Sequence, residues 1–239
     1  MSPRHCVAFA LCVLLSPIVL ASAPCQSAAD CNEQGGAAYR QQRYAQAIER
    51  YEWQLRYAEQ RQDEGRTDAE MALNNLMLAN LKAGNAAKAR AWMWVALQRD
   101  FDGKATQFNA GKVTQAFDYK RRPGLAGHYA RYAGMGEWAT LDIERNAQGG
   151  YLANFSLLRI GNPATLMDYG PAAIGELSGR LSGDGAYFRV DSADLEKGCN
   201  LQLLHEGIDI VVVEAFREGC QTYGGMGIHA AGTWRRLSQ

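Results

Sequence analysis

An excess of charge of either sign is missing from this sequence: 25 Lys plus Arg face 25 Asp plus Glu over 239 residues, so the formal net charge is zero. No global field steers nucleic acid or an anionic membrane surface toward such a chain. Proline is scarce, with six residues, and five Trp, eleven Tyr and seven Phe are spread along the sequence, which excludes a disordered or collagen-like chain. Beyond the N-terminus no apolar run reaches the roughly 20 residues that span a bilayer. No Gly-x-Ser-x-Gly elbow occurs, and His128, His205 and His229 do not stand at zinc-ligand spacing. These absences argue against a serine hydrolase and a metal site, and no cofactor is expected.

What is present starts with an address. Arg4 and His5 precede an apolar run from Cys6 to Leu20, and Ala21-Ser22-Ala23 supplies the small residues a signal peptidase reads, so residues 1–23 are expected to be a secretory signal peptide. Cleavage after Ala21 is the alternative, because Pro24 is an awkward first residue. The chain is therefore expected in the periplasm or secreted. Removing the leader leaves Cys25, Cys31, Cys199 and Cys220, an even set in an oxidising compartment. Four cysteines allow three connectivities, and the separations favour Cys25 with Cys31 and Cys199 with Cys220.

Residues 24–122 are rich in Ala, Gln, Arg, Glu and Leu and read as helices. Tyr44, Ala47, Ile48, Tyr51 and Leu55 form one apolar stripe on a helix from about Ala45 to Gln62, preceded by a shorter helix near Asn32 to Gln42. Leu73, Leu76, Met77 and Leu81 form a second stripe. Gly84-Asn85 supplies a turn, and Ala86 to Arg99 resumes with Ala89, Trp92, Met93 and Ala96. A fifth helix, from about Lys112 to Lys120 or from an earlier start, would bury Val113, Ala116 and Phe117. Trp92, Met93 and Trp94 are consecutive and cannot share one helix face, so one indole is expected to meet the rest of the protein.

The two hairpins superpose, Tyr44-Ala45-Gln46-Ala47-Ile48 on Ala86-Ala87-Lys88-Ala89-Arg90. With Leu73, Leu76, Gly84, Ala89, Ala96 and Leu97 in their relative places, the second unit resembles a tetratricopeptide repeat, and the first, with Gly35, Tyr44, Ala47, Tyr51 and Leu55, resembles a looser copy. Small Ala at the crossing lets antiparallel helices approach closely. The segment Arg61 to Asp68 is an insertion relative to that repeat. The resemblance implies partner binding in the groove lined by the first helix of each pair, here offering Tyr39, Arg40, Asn74 and Leu78.

At Lys120-Arg121-Arg122-Pro123-Gly124 the texture changes, and residues 123–239 are rich in Gly with apolar residues at period two. Strands are expected at Glu137 to Arg145, Tyr151 to Ile160, Ile174 to Leu181, Ala186 to Val190, Cys199 to Leu204, Ile208 to Ala215 and Ile228 to Arg235. Seven short strands joined mostly by tight turns give an antiparallel barrel or sandwich, so the fold class is α+β: helical hairpins, then a β-domain. Ile208 to Val213, apolar on both faces apart from Asp209, is expected to be central or covered by the helices. A hairpin turning at Glu206-Gly207 places Cys199 near Glu214, so Cys220 reaches it if Ala215 to Gly219 folds back.

Cys199-Asn-Leu-Gln-Leu-Leu, Ile208 to Val213, Cys220, Gly227 and Ala231-Gly232-Thr233-Trp234-Arg235 together are similar to the C-terminal β-domain of small exported bacterial proteins grouped with lysozyme inhibitors. The better-known inhibitor barrels carry a Ser-Gly-x-x-Tyr loop, whereas Ser182-Gly183-Asp184-Gly185-Ala186-Tyr187 is one residue longer. The resemblance implies a protein that blocks a wall-degrading enzyme.

Chemistry is sparse. Asp142 and Glu144 share the polar face of a strand and read as solvated surface, and His205 beside Glu206 reads as an exposed turn. Tyr223-Gly224-Gly225-Met226-Gly227 lacks the Lys and following helix of a phosphate loop and reads as a flexible turn that presents Tyr223 and Met226 outward. The expected function is a non-enzymatic exported protein that binds another protein, in its specific form an inhibitor or immunity-type protein whose partner is a peptidoglycan hydrolase. The alternatives are an envelope-assembly adaptor using the helical groove and a small-ligand carrier using the barrel.

Overall fold

The structure, a computed structural model, describes residues 25–120, 123–161, 172–215, 220 and 222–238. Among these residues five α-helices precede eight β-strands. The expected leader 1–23 and the Arg121-Arg122 step lie outside the described residues.

The helices are α1 (Ala28–Arg40), α2 (Tyr44–Gln60), α3 (Arg66–Lys82), α4 (Ala86–Gln98) and α5 (Lys104–Ala116). α1 starts where the Ser27 hydroxyl accepts from the Asp30 amide at 3.1 Å. The Cys25–Cys31 disulfide closes over that first turn, with 5.0 Å between the Cα atoms. Gly35 lets α2 come close: a Cβ there would stand 2.5 Å from the Tyr51 ring. Ala47, Ala58, Ala89 and Ala96 are fully buried where neighbouring helices cross. The insertion Arg61–Asp68 becomes a 3-10 turn, Gln62–Gly65, running into the first turn of α3.

The fifth helix differs from its expected form. It takes the earlier start, at Lys104, and buries Val113 and, at its C-cap, Phe117 as expected, while Ala116 is exposed and Thr106 and Asn109 complete the buried side. The reason is polar: Asn74 of α3 donates to the Thr106 hydroxyl and accepts from the Asn109 amide, each at 2.8 Å. Where the first part of the helix docks by hydrogen bonds, it carries no apolar residue to read.

The strands are β1 (Gly127–Gly134), β2 (Glu137–Arg145), β3 (Tyr151–Ile160), β4 (Ala172–Asp184), β5 (Tyr187–Asp191), β6 (Asn200–Glu206), β7 (Asp209–Ala215) and β8 (Gly232–Arg236). Each pairs antiparallel with the next, and β1 pairs with β8, so the sheet is a closed barrel. The expected Glu206-Gly207 turn is present, with Glu206 opposite Asp209. β1 is the strand beyond the seven expected. Leu141, Ile143, Phe155, Leu177, Leu203, Ile210 and Trp234 fill the interior, with the Phe155 and Trp234 rings edge to face at 5.5 Å.

α4 joins the helices to the barrel. Arg90, 2% exposed, clasps Asp209 of β7 with both terminal nitrogens, at 2.9 and 2.5 Å. Arg235 adds a third hydrogen bond at 2.8 Å and the Arg236 amide a fourth at 2.9 Å. Ile208, just before β7, packs beside Ala87 and Phe117, so the start of the apolar run is covered by the helices, while Val213 toward its end is exposed. Both tryptophans of α4 meet the barrel: Trp92 packs edge-on against Trp138 and Tyr132, at 4.7 and 5.6 Å, and Arg235 stacks over Trp94 at 4.2 Å. From α2, Glu59 accepts from the Tyr132 hydroxyl at 2.8 Å and pairs with Arg99.

Candidate functional site

A disulfide-anchored loop pairs with the backbone of the first part of β4. After β7 the chain returns through Cys220, bonded to Cys199 at the start of β6, with 4.8 Å between Cα atoms. A loop of this size is stabilised by about 3 kcal/mol in the chain-entropy account of disulfides. Residues 216–219, which would carry the expected fold-back, lie outside the described residues. From Thr222 onward the backbone is strapped down. The Glu176 amide donates to the Tyr223 carbonyl (3.1 Å), the Gly225 amide to the Ile174 carbonyl (3.0 Å) and the Ile228 amide to the Gly225 carbonyl (3.0 Å). Arg159 of β3 donates through Nε to the Met226 carbonyl at 3.0 Å.

This corrects the reading of Tyr223-Gly224-Gly225-Met226-Gly227 as a flexible turn. Gly175 and Gly224 form a bridge between β4 and the loop. A Cβ on Gly175 would stand 2.6 Å from the Tyr223 carbonyl oxygen, and one on Gly224 2.5 Å from Ile228. Glycine serves close approach of two backbones here, and Gly227 serves a positive φ of 74°.

Tyr223 also turns out differently. It is 5% exposed and points into the core, where its hydroxyl donates to Glu214 at 2.5 Å and accepts from the Ala230 amide at 3.1 Å. Burial, reinforced by Glu214, pushes the hydroxyl well above its ordinary pKa. An aromatic ring on a Gly-rich segment was expected to face solvent, but the strap needs an inward anchor and Tyr223 is that anchor. Met226 does face solvent, at 66% exposure. Ile174 of β4, whose carbonyl accepts from the adjoining Gly225 amide, is 72% exposed. Glu214, Cys220 and residues 224–229 line a cleft of about 350 Å3 under this loop.

The helical candidates are not brought to one open surface. Asn74 is 8% exposed, its side chain spent on Glu70, Thr106 and Asn109, so α5 occupies the face of α3 that was expected to be open. The α3 residue that reaches α1 is Asn75, which donates to Asn32 at 2.9 Å. Tyr39 is half-buried, edge-on to Tyr44 at 5.5 Å, Arg40 is exposed at the end of α1, and Leu78 is half-buried.

The catalytic candidates disperse too. Asp142 meets His128 across the β1–β2 register at 2.6 Å, and both are partly exposed, while Glu144 faces solvent. His205 lies on β6 opposite Ile210, where burial holds its imidazole below its usual pKa, and Glu206 is exposed at the turn. Among the described residues no group of three or more His, Cys, Asp or Glu is placed to hold a metal ion, and no helix is long and apolar enough to cross a membrane. Tyr187, from the loop compared with the inhibitor barrels, is exposed opposite Asp184 across a tight Gly185-Ala186 turn.

Comparison with protein-family models, curated proteins and solved structures finds no match.

Sequence reasoning missed Ile174, Gly175 and Arg159 as parts of this site. One signal was available: a glycine inside a strand, in Ile174-Gly175-Glu176, marks close backbone approach. No comparable signal marks Arg159, whose role depends on a carbonyl 67 residues away.

Proposed function

We propose that this chain is an exported, non-enzymatic protein that binds another protein through the strapped loop presenting Met226 beside Ile174. One observation carries this reading: two large apolar side chains stand 66% and 72% exposed on backbone that hydrogen bonds hold in place. Exposed apolar side chains on backbone that is already ordered gain burial on binding without the cost of ordering that backbone, which is the character of contact residues. The two disulfides support an oxidising compartment.

The specific form of the proposal is an inhibitor or immunity-type protein whose partner is a peptidoglycan hydrolase. It is supported by the similarity of the Cys199-to-Arg235 segment to the β-domain grouped with lysozyme inhibitors. The adaptor reading loses support because Asn74 is engaged by α5, and the carrier reading because side chains fill the barrel interior.

The test compares the oxidised wild-type chain with Met226→Asp and Ile174→Asp for binding and inhibition of purified muramidases and other wall hydrolases, with near-UV circular dichroism confirming the fold. The expected result is inhibition by the wild type and affinity weakened more than tenfold, about 1.4 kcal/mol, in each variant. Wild-type protein that binds no wall hydrolase removes the specific form. Variants that bind as the wild type does remove the loop as the contact.

A further inference from the structure

The C-terminal ends of α2 and α4, the 3-10 turn Gln62–Gly65 and the β1–β2 turn surround a cavity of about 480 Å3 between the helices and the barrel. Four non-glycine residues among those described hold a positive φ, and three of them stand around this cavity. Gln62 (φ 53°) and Met135 (φ 51°) line it, and Asp100 (φ 54°) lends its carbonyl to Arg66, which lines it too. Glycine or asparagine takes such conformations at less cost. Gln62 and Asp100 follow helix ends, and Met135-Gly136 is a two-residue hairpin turn with both φ positive, where Asn-Gly is preferred. Backbone of this kind clusters at ligand sites, where the surrounding contacts hold it. At Met135 those contacts come from α2: the Glu59 carboxylate accepts from its amide, and Arg56 Nε donates to its carbonyl at 3.2 Å.

The charges narrow what the cavity takes. Among the described lining residues are two acids, Glu59 and Asp63, and two guanidinium groups, Arg66 and Arg99. Glu59 and Arg99 pair with each other, and both Glu59 oxygens accept from the Tyr132 hydroxyl, at 2.8 and 2.9 Å. Asp63 and Arg66 do not pair, and neither stands at ion-pair distance from any other described residue. Both are exposed, and the Arg66 amide donates to the Asp63 carbonyl in a 3-10 bond, a spacing that sets the two side chains on one side of the turn. The Arg66 guanidinium is held in place by the Phe101 ring, 4.6 Å from its centroid, and through Nη2 by the Arg99 and Asp100 carbonyls, at 3.2 and 3.0 Å.

A cation and an anion left apart on one wall match a ligand that carries both charges a few bonds from each other, as the carboxylate and ammonium of an α-amino acid are. Across the cavity, half-buried Met135 and Ile160 form an apolar wall on the barrel side.

We propose that this junction binds a free α-amino acid with an apolar side chain, its carboxylate on Arg66, its ammonium on Asp63 and its side chain against Met135 and Ile160. The site shares no residue with the Met226 loop or the strands that hold it.

The experiment follows the Met135 and Gly136 amides of the oxidised, 15N-labelled chain by NMR during titration with leucine, glycine, leucinamide and isocaproate. Glycine lacks the apolar side chain, leucinamide the carboxylate and isocaproate the ammonium. The expected result is a saturable shift with leucine and affinity at least about tenfold weaker for each of the other three. Arg66→Gln and Asp63→Asn change exposed side chains and are each expected to weaken leucine about tenfold with the melting curve retained. Met135→Asn makes the turn Asn-Gly and is expected to raise the melting temperature while weakening leucine. No saturable shift up to about tens of millimolar leucine overturns the proposal. So does leucinamide or isocaproate binding as tightly as leucine, or leucine affinity unchanged in Arg66→Gln and Asp63→Asn.

Discussion

Asp209 is the residue on which the join between helices and barrel turns. Burial alone would push its carboxyl up, but the hydrogen bonds and charge of Arg90, with Arg235 and the Arg236 amide, outweigh it and hold the pKa below the usual carboxylate range. A lowered pKa contributes stability that is present above the unfolded value, about 3.9, and is lost as pH falls through the folded one. Asp209→Ala leaves Arg90 buried without its carboxylate, and removing one partner of such a pair costs about 3–5 kcal/mol. Urea denaturation at pH 7 is expected to show that loss, and the gap between variant and wild type is expected to narrow as pH falls below the unfolded carboxyl value and through the lowered folded one. In the sequence Asp209 stood out only as an interruption of an apolar strand. Its partner, 119 positions earlier on a helix, left no local mark.

At the scale of elements, legibility followed how one-sided each element is. β2 and β3 have one face in the barrel and one toward solvent or the helices, and period two gives their bounds directly. β1 was invisible because both faces are occupied: Tyr129 points into the barrel and Tyr132 packs on the helical core, so apolar and polar residues do not alternate. α5 was half visible because Thr106 and Asn109 take the places where apolar residues were sought. Both disulfides were legible from spacing. The strap was not, since the same glycines serve a loose turn and a tight crossing, and only the chain opposite decides between them. The strap makes a separable prediction. Gly175→Ala sets a Cβ against the Tyr223 carbonyl and is expected to cost about 1–3 kcal/mol and to open the loop to proteolysis. Gly111→Ala, in α5 with open space around it, is expected to stabilise by about 0.5–1 kcal/mol. Equal effects in chemical denaturation would contradict the account of the crossing.

For the whole molecule, the contact between helices and barrel ties stability to pH in two opposed ways. Between α2, α4 and the β1–β2 turn, Glu52 and Lys88 are both half-buried and act on each other electrostatically, with Lys88 Nζ 3.9 Å from the Trp138 ring centroid. Burial pushes the Glu52 carboxyl up to about 7 against the attraction of Lys88 and Arg56, with Glu137 and Glu49 adding to the rise. Burial also draws Lys88 down to about 8 against Glu52 and Glu137. Between the unfolded carboxyl value, about 4.3, and 7 the folded chain keeps a proton that the unfolded chain has released, so stability falls as pH rises through that window. Asp209 acts below it with the opposite slope. The thermal midpoint is therefore expected to climb as pH rises toward about 4 and to decline from there to about 7, and Glu52→Gln is expected to flatten the decline while leaving the climb. A decline of the same slope in Glu52→Gln would locate the effect elsewhere.

The central claim is that the strapped loop, and not the helical face, meets the partner. Site-specific photocrosslinking tests it most directly, with a benzophenone side chain placed at Met226 or at Arg40 and irradiated in intact cells that make the protein. The account predicts a discrete adduct with another protein from position 226, none from position 40, and loss of the adduct when Ile174→Asp is added. An adduct from position 40 with none from position 226 would contradict it.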